Sequence, residues 1–488
     1  MSRSGGPAVD SEPAALDDGI RRWTRQELEA EYGGAADVFI ARGVHVMATL
    51  LDNGAAWVVA DGAAARAGVV HVPLPAFFSP QQLDHALRSA GVDALLAPLL
   101  YAGGLATALG APQPGQVEIA GEELGLIRLS AAPVALPART AKITFTSGTT
   151  GTPKGVCLSQ AAIQAVADGL VAATRGLGIR RHLCVLPLPV LLENVAGLLA
   201  PLARHATCVV PRLGGLGLTG SSSFDPALFH GAVERYQPHS LILLPQMLRA
   251  WTGWLGQRGL RAPGSLRLVA VGGAAVGERL LGAARGAGIP AYEGYGLSEG
   301  ASVQTLNLPG ADRPGSAGRP LPHARVRVAP DGEIEVSGSL MAGYLGDTAA
   351  PPPWWPTGDL GRIDDDGFVH VHGRKKNVLI TSFGRNVSPE WIEQALQAQT
   401  AIAHAAVFGE GEPALSAVLW PVASAPSDVQ LQAAVDAANA GLPDYARVAR
   451  WVRARAAFHA ESGLATANGR PQRAAIWRAH ADALSTTP

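Results

Sequence analysis

The sequence predicts an α/β protein, with a large N-terminal domain of two doubly wound α/β subdomains plus a small β-barrel-like subdomain, and a small α+β C-terminal domain. Residues 44–96 alternate between helix-like and strand-like segments, and residues 183–292 do so again. After Gly315 come short strands bounded by Pro, Gly and Asp, and a further mixed unit begins at Lys376. We therefore expect a flexible leader over 1–18, the N-terminal domain over 19–375 and the C-terminal domain over 376–488.

The individual elements follow from apolar periodicity and from the turn residues at their ends. Helices are predicted over 55–65, 80–89, 161–173, 195–203, 227–236, 389–397 and 428–440, with Ser159 as a possible N-cap. Strands are predicted over 69–72, 94–96, 143–145, 183–186, 207–210, 240–244, 266–271, 291–292, 324–328, 333–336, 367–371, 378–381, 405–408 and 416–421.

Bulk composition excludes several classes of function. The formal net charge of the 488 residues is −1, which implies no general affinity for nucleic acid. No apolar run approaches the roughly 18 residues of a spanning helix, so no transmembrane segment is predicted, and peripheral membrane contact stays open. The three cysteines form no metal spacing and no complete disulfide framework. Since no secretory leader is visible, we expect a cytoplasmic protein.

The most informative segment is a Gly/Thr/Ser-rich loop between a predicted strand and a predicted helix. It spans residues 144–155 and ends in Pro153-Lys154-Gly155. Backbone N–H groups, hydroxyls and an ammonium group together can surround a polyphosphate. The loop lacks the Gly-Lys-Ser/Thr of a Walker A loop. A polar surface loop is the alternative, but such a loop needs no lysine after a proline. The phosphate-binding residues predicted here are Thr146, Ser147, Gly148, Thr149, Thr150, Gly151 and Lys154.

Three further motifs have chemistry that suits a nucleotide. The small residues of Gly272-Gly273-Ala274-Ala275 let a flat ring lie against the backbone, although close strand–helix packing explains them equally well. In the segment 292–300, Tyr295 can stack on a base, while Ser298 and Glu299 can hold phosphate and Mg²⁺. Asp359 can accept hydrogen bonds from two vicinal hydroxyls.

Together these segments resemble the adenylate-forming (AMP-binding) superfamily, and within it the fatty acyl-CoA synthetases and other acyl-CoA ligases. The resemblance extends from about residue 44 to residue 473 and implies a C-terminal domain that rotates between two half-reactions. It implies a hinge at Lys376 and a thiol tunnel at Gly384. It also assigns nucleotide binding to Gly273, Ala274, Tyr295, Gly296, Ser298, Asp359 and Arg374, and both catalysis and metal binding to Glu299.

One position departs from the family pattern. The family ends with a Gly-Lys pair whose lysine reaches the acyl carboxylate and the α-phosphate, and the matching stretch here holds Gly469-Arg470. Arginine keeps the charge but differs in geometry and reach. Three interpretations stay open: Arg470 is itself catalytic, Arg473 or another cation substitutes, or the first half-reaction is slow and the protein is a binder. We prefer the first.

The segment Leu186-Pro187-Leu188-Pro189-Val190-Leu191 resembles the stretch that lines the family's acyl pocket. We find no acidic residue where amino-acid-activating members bind the α-ammonium group. The predicted acyl-pocket residues are Val190, Leu191, Gly272 and Ala301, which suit an aliphatic tail, although an aryl acid stays open.

The resemblance therefore implies an AMP-forming acid–thiol ligase that uses ATP, Mg²⁺ and, as the acceptor, CoA. The expected substrate is a small-molecule carboxylic acid, namely a medium- or long-chain fatty acid. The alternatives are an acyl-AMP ligase that loads the phosphopantetheine arm of a carrier protein, and a low-turnover nucleotide- or acyl-binding protein.

Overall fold

The computed structural model describes residues 13–130, 132–146, 153–219, 223–347, 349–380, 382, 386–423, 425–466 and 469–485. Two large sheets organise the N-terminal part of the chain, and smaller sheets of four, two and three strands follow them in the described residues. The strongest sequence patterns correspond to the elements of these sheets and to the helices between them. The α/β architecture predicted from the alternating segments is confirmed.

One large sheet has nine strands and is parallel through its centre. Its strands in chain order are β1 (Leu16–Asp17), β2 (Arg22–Trp23), β10 (Arg181–Leu183), β11 (Thr207–Val209), β14 (Ser240–Leu243), β15 (Leu268–Val271), β16 (Ala291–Leu297), β17 (Ser302–Leu306) and β18 (Arg319–Pro320). The short strands β12 (Leu218–Thr219) and β13 (Ser223–Phe224) form a separate pair.

The other large sheet has eight strands, with parallel pairing at its centre and antiparallel pairs towards both edges. Its strands are β3 (Val46–Thr49), β4 (Val70–Pro73), β5 (Ala94–Pro98), β6 (Gly115–Ile119), β7 (Glu122–Arg128), β8 (Thr140–Thr146), β9 (Lys154–Ser159) and β21 (Gly343–Tyr344). Parallel strands need crossover connections, and most of those here are helices.

The predicted β-barrel-like subdomain is a four-stranded antiparallel sheet of β19 (Ala324–Val328), β20 (Glu333–Gly338), β22 (Trp355–Ile363) and β23 (Val369–Arg374). The C-terminal unit contains β24 (Leu379–Ile380) paired with β25 (Asn386–Val387), and a three-stranded sheet of β26 (Ile402–Phe408), β27 (Leu415–Pro421) and β28 (Val448–Arg453). The short 3₁₀ turn Lys375–Asn377 joins the two parts.

The helices are α1 (Arg25–Ala41), α2 (Ala55–Ala67), α3 (Pro80–Ser89), α4 (Leu99–Ala108), α5 (Gln160–Ala173), α6 (Ala200–Ala203), α7 (Pro226–Tyr236), α8 (Pro245–Arg258), α9 (Glu278–Gly286), α10 (Pro389–Gln397), α11 (Asp428–Ala440) and α12 (Arg473–Ser485). Local capping explains several of their first residues. Ser159 accepts a hydrogen bond from Ala162 N at the start of α5, which confirms the predicted N-cap.

Several predicted boundaries were wrong, and three of them change the description of the chain most. The flexible leader was predicted to reach residue 18, but Leu16 and Asp17 form β1, pair with β11 and are buried. The strand expected over 183–186 ends at Leu183, and the helix expected over 195–203 begins with a π-helical stretch, Glu193–Leu199. After Leu183 the buried side chains of Asn53 and Glu193 bind the backbone in place of a strand partner.

No helix in the described part of the chain combines the length and the apolar character needed to cross a membrane.

Candidate active site

The phosphate loop joins two neighbouring strands. Thr146 ends β8 and Lys154 begins β9, and these two residues face each other in the antiparallel register. The ladder thus brings the two ends of the predicted loop together, with the Lys154 side chain exposed. The predicted residues Ser147, Gly148, Thr149, Thr150 and Gly151 lie outside the described residues.

Next to Lys154, an aromatic side chain connects the loop to the predicted metal ligand. The Lys154 ammonium lies 5.3 Å from the centroid of the Tyr344 ring. The Tyr344 hydroxyl donates a 2.8 Å hydrogen bond to Glu299 Oε1. Desolvation and the negative charge of Glu299 raise the pKa of this phenol, so it is a hydrogen-bond donor at neutral pH. Glu299 is half-buried, and the hydrogen bond from Tyr344 holds one of its carboxylate oxygens in place.

A second cluster forms around the predicted ribose-binding carboxylate. Asp359 is 5% exposed, and its Oδ2 accepts a 2.7 Å hydrogen bond from the Tyr295 hydroxyl. Its Oδ1 lies 2.9 Å from Arg374 Nε, and Arg374 Nη1 donates to Thr357 O at 3.0 Å. Strand pairing explains the contact, since Asp359 on β22 is opposite Arg374 on β23. The structure therefore brings together three residues that lie far apart in the sequence.

The charges of this cluster oppose its burial. Desolvation raises the pKa of Asp359, whereas the positive charges of Arg374 and Arg470 and the hydrogen bond from Tyr295 act in the opposite direction. Desolvation, with the nearby Asp359 carboxylate, raises the pKa of Tyr295 well above its ordinary value. Tyr295 and Arg374 thus orient the Asp359 carboxylate with one partner on each oxygen, and each oxygen can accept one further hydrogen bond from a hydroxyl.

Arg470 of the C-terminal unit reaches this region. Its Nη2 donates to Gly273 O at 3.1 Å, across 197 residues of sequence. Gly273, at φ +84°, and Ala274 are exposed beyond the end of β15. The neighbouring Gly469, at φ +73°, lies against the Gln246 side chain, whose Oε1 would be 2.2 Å from an added Cβ. The loop that carries Arg470 is thus packed against the N-terminal domain.

The predicted acyl-pocket residues also come together. Leu191 and Ala301 belong to one buried apolar cluster, and Leu192 Cδ2 is 3.8 Å from the position of a Cβ added to Gly272. Val190 is half-buried and lies directly before the helical turn that begins at Leu191. Behind Leu192 lies a cavity of about 70 Å³, which we call the rear cavity. It is lined mainly by apolar side chains, including Leu192, Ala196, Ile242, Ala270, Val303 and Leu306.

Comparison with protein families agrees with this geometry. The family described as "AMP-binding enzyme" matches residues 7–345, and "AMP-binding enzyme C-terminal domain" matches residues 376–487. The chain belongs to the AMP-binding enzyme family. It is an AMP-forming acid–thiol ligase of the acyl-CoA synthetase type, and family membership supports ATP binding.

Curated relatives within the AMP-binding family act on different acids. A long-chain-fatty-acid–CoA ligase of Mycobacterium bovis is 30% identical over 426 residues, covering 74% of this chain and 70% of that protein. A 3-[(3aS,4S,7aS)-7a-methyl-1,5-dioxo-octahydro-1H-inden-4-yl]propanoyl:CoA ligase of Mycobacterium tuberculosis is 30% identical, covering 82% and 83%. A 2-succinylbenzoate–CoA ligase of Bacillus velezensis is 31% identical, covering 56% of each chain.

Solved AMP-binding enzymes share the fold. The o-succinylbenzoate CoA synthetase of Bacillus subtilis, in complex with its acyl-adenylate intermediate, has a TM-score of 0.76 at 23% identity. That alignment covers 98% of this chain and 96% of the other. The same enzyme in complex with ATP and a magnesium ion has a TM-score of 0.70 at 24% identity, covering 91% and 94%.

Three more of the residues predicted for this AMP-binding enzyme lie in turns or in tightly packed backbone. Ser298 opens a 3₁₀ turn beside Glu299. Packing is sufficient to require a glycine at position 296, because a Cβ there would lie 2.2 Å from Ser302 O. Lys376 lies in the turn between the two domains, and Gly384 is outside the described residues.

Sequence reasoning missed two residues of the site. Tyr344 holds Glu299 from a strand 45 positions away. Glu293 is buried on β16, two residues before Tyr295, and its Oε1 accepts a hydrogen bond from Val276 N at 3.1 Å. Desolvation raises the pKa of Glu293 to about 7. No spacing in the sequence marks either contact, since both depend on how distant strands pair.

Proposed function

We propose that this ligase activates a medium- or long-chain fatty acid with ATP, releasing pyrophosphate, and transfers the acyl group from the adenylate to the thiol of CoA. One observation carries the adenylation step: the guanidinium of Arg470 reaches Gly273 O, which brings a cation of the C-terminal domain to the predicted nucleotide site. The charge of Arg470 also acts on Asp359, the predicted ribose ligand.

The first half-reaction assigns a role to each cluster. Asp359 accepts hydrogen bonds from the two ribose hydroxyls, and Arg374 and Tyr295 hold it in place. The acid's carboxylate attacks the α-phosphate, and Lys154 stabilises the charge that develops on the departing pyrophosphate. Arg470, held at Gly273 O, would neutralise the incoming carboxylate.

The carboxylate of Glu299 fits a magnesium ion, because hard oxygen ligands suit that cation. Glu299 Oε1 is held by the Tyr344 hydroxyl, and the second carboxylate oxygen has no hydrogen bond to any described residue. Mg²⁺ bound there with the phosphates would neutralise their charge. Tyr344 orients the Glu299 carboxylate, and the exposed Lys154 on the same ring would bind the phosphates beside the ion.

A fatty acid is favoured by the surroundings of Gly272. Leu191, Leu192 and Ala301 form an apolar wall, and the rear cavity continues it between the π-helix and β14 and β15. At about 70 Å³ this cavity holds only a short stretch at the far end of an aliphatic chain. A longer tail requires the π-helical wall to move, and π-helical turns are frequent at functional sites.

The second half-reaction requires a thiol and a moving domain. Lys375 lies 2.6 Å from Asp331 and 2.7 Å from Glu333, so the linker is bound to the four-stranded sheet up to that residue. We place the hinge directly after it, at Lys376, with the domain boundary at 375/376 and the thiol tunnel at Gly384. CoA as acceptor is supported by the CoA ligases among the relatives. The free and buried thiols of Cys157, Cys184 and Cys208 suit the proposed cytoplasmic location.

The experiment is pyrophosphate release from MgATP with hydroxylamine as trap, across fatty acids of graded length and several aryl acids. We expect release with aliphatic acids and thioester formation when CoA is added. Activity with aryl acids alone would overturn the fatty-acid assignment. Transfer to a phosphopantetheinylated carrier but not to CoA would support the carrier-loading alternative. ATP binding without release for any acid would overturn the ligase and leave a binder in which Arg470 is not catalytic.

A further inference from the structure

The segment 185–192 forms one wall of the proposed acyl pocket without belonging to a sheet. The strand β10 ends at Leu183, and the helical turn begins only after Val190. Buried backbone N–H and C=O groups must nevertheless be paired. The position of this wall therefore depends on which side chains pair with its backbone.

Asn53 binds the segment from the connection between β3 and α2. Its Nδ2 donates to Leu186 O at 2.9 Å, and its Oδ1 accepts from Leu188 N at 2.8 Å. Asn53 is 1% exposed and lies two residues before the start of α2. Its two hydrogen bonds join positions that are 133 and 135 residues apart in the sequence. A single side chain thus satisfies a donor and an acceptor on either side of Pro187 and fixes the path of the wall.

Glu193 holds the same segment from below. Its two oxygens accept hydrogen bonds from Val185 N and Leu186 N, each at 3.2 Å, and it is completely buried. His182 Nε2 lies 3.6 Å from Glu193 Oε1, and Cys184 Sγ donates to Gly197 O at 3.2 Å. A His–Cys–Glu group of this kind is a candidate metal site, with donor atoms within 4.8 Å of one another. Both carboxylate oxygens and the thiol already have protein partners, so we interpret the group as an anchor for the backbone.

We propose that Asn53 is a positioning residue for the acyl substrate: its paired hydrogen bonds to Leu186 and Leu188 set the wall that carries Val190 and Leu191, and through it the affinity and selectivity for the acid. This inference rests on the proposed function. Removing the amide leaves a buried N–H and a buried C=O without partners, which favours a shifted loop. Among the residues that the structure describes, Asn53 makes no hydrogen bond to a predicted nucleotide ligand, so we expect ATP binding to stay unaffected.

The test compares Asn53→Ala with Asn439→Ala, a matched control. Asn439 makes the same kind of paired contact, to Val448 O and Val448 N at 2.9 Å each, but in the C-terminal domain. For N53A we expect the KM for the preferred acid to rise tenfold or more and the preference among chain lengths to flatten. The KM for ATP should stay within twofold. N439A should leave the acid KM and the chain-length profile as in the wild type.

An equal effect of N53A and N439A on acid KM, or a parallel rise in the KM for ATP, would overturn the proposal. If N53A does not fold, Glu193→Gln replaces it, since glutamine can accept only one of the two backbone hydrogen bonds. E193Q must then show the same acid-selective change, and a wild-type profile in it would also overturn the proposal. Wild-type protein that releases no pyrophosphate with any acid would refute the ligase itself, whereas an active wild type with unchanged variants refutes only the positioning role.

Discussion

The Tyr344 hydroxyl donates a 2.8 Å hydrogen bond to the Glu299 carboxylate, and the same ring lies beneath the Lys154 ammonium. This contact connects the strand β21, the phosphate loop and the predicted metal ligand. Because β21 pairs with β9, the strand that Lys154 begins, the sheet itself places the phenol between a cation and an anion. Glu299 and Lys154 are therefore held as one unit.

Replacing Tyr344 by Phe should lower kcat/KM for MgATP about tenfold, because a hydrogen bond to a charged group is worth about 1.5–3 kcal/mol. The ring and its contact with Lys154 remain, so folding should be unchanged. Steady-state kinetics at several magnesium concentrations measures the effect, and more magnesium should be needed for half-maximal rate. Tyr445→Phe, at an exposed position in the C-terminal domain, is the control. Equal kinetics for the two variants would contradict the role of Tyr344.

Asp359→Asn tests the ribose assignment. We expect ATP affinity to fall about 10- to 100-fold, since asparagine offers one acceptor oxygen in place of a charged pair. Wild-type protein should bind 2′,3′-dideoxy-ATP much more weakly than ATP, whereas D359N should hardly distinguish them. Isothermal titration measures both. Asp364→Asn, in the nearby turn where Asp364 binds Arg313 and His370, is the control and should keep the discrimination. Discrimination that survives in D359N would place the ribose elsewhere.

The rear cavity predicts a change in chain-length preference. Ala196→Leu adds volume to its helical wall and should shorten the longest fatty acid that is accepted, while acids too short to reach the cavity keep their KM. Overpacking of this kind costs about 1–3 kcal/mol of stability, so folding should survive. Ala283→Leu, at an exposed position of α9, is the control. An identical chain-length limit in both variants would show that the acyl chain takes another route.

Glu293 predicts a dependence of stability on pH. Its pKa is raised from about 4.5 to about 7 in the folded protein, mainly by desolvation. Between these pH values the folded state keeps a proton that the unfolded state has lost, so the free energy of unfolding falls as pH rises and levels off above pH 7. The full shift corresponds to at most about 3 kcal/mol.

We compare the unfolding temperatures of Glu293→Gln and the wild type at pH 5 and at pH 8. The difference should shift in favour of Glu293→Gln at pH 8, because the variant lacks the carboxyl group whose deprotonation destabilises the wild type. The variant should lose only part of the pH dependence of stability. Desolvation also raises the pKa of Glu393 to about 7, so that carboxyl group contributes a pH dependence of its own. Thermal unfolding at the two pH values measures it, with Glu118→Gln at an exposed position of β6 as the control. A pH slope in E293Q equal to that of the wild type would contradict the assignment.

Elements with local signals could be predicted from the sequence. Helices α3, α10 and α11 have the predicted bounds, and Ser79 and Ser427 cap the first and the last of these through their own hydroxyls. The end of β10 and the π-helix after it could not be predicted. The backbone between these two elements is bound by Asn53 and Glu193, and no local pattern announces the contact of Asn53 over 133 residues.

The site shows the same division. Asp359 and Arg374 lie in segments that are recognisable by themselves, and strand pairing then joins them. Tyr344, Glu293 and Asn53 act only through partners that are distant in sequence, so their roles emerge only from the packed structure. The arginine at position 470 could be read from the sequence, but its contact with Gly273 could not.

The most direct test of the account is acid-dependent exchange of radiolabelled pyrophosphate into ATP, without CoA, for the wild type and Arg470→Ala. The account predicts exchange with a fatty acid in the wild type and a loss of about 10²- to 10³-fold in R470A, as when one charge-stabilising donor is removed from an active site. Arg478→Ala, on the exposed face of α12, should exchange like the wild type. Full exchange in R470A, or none in the wild type with any acid, would contradict adenylation by this arginine.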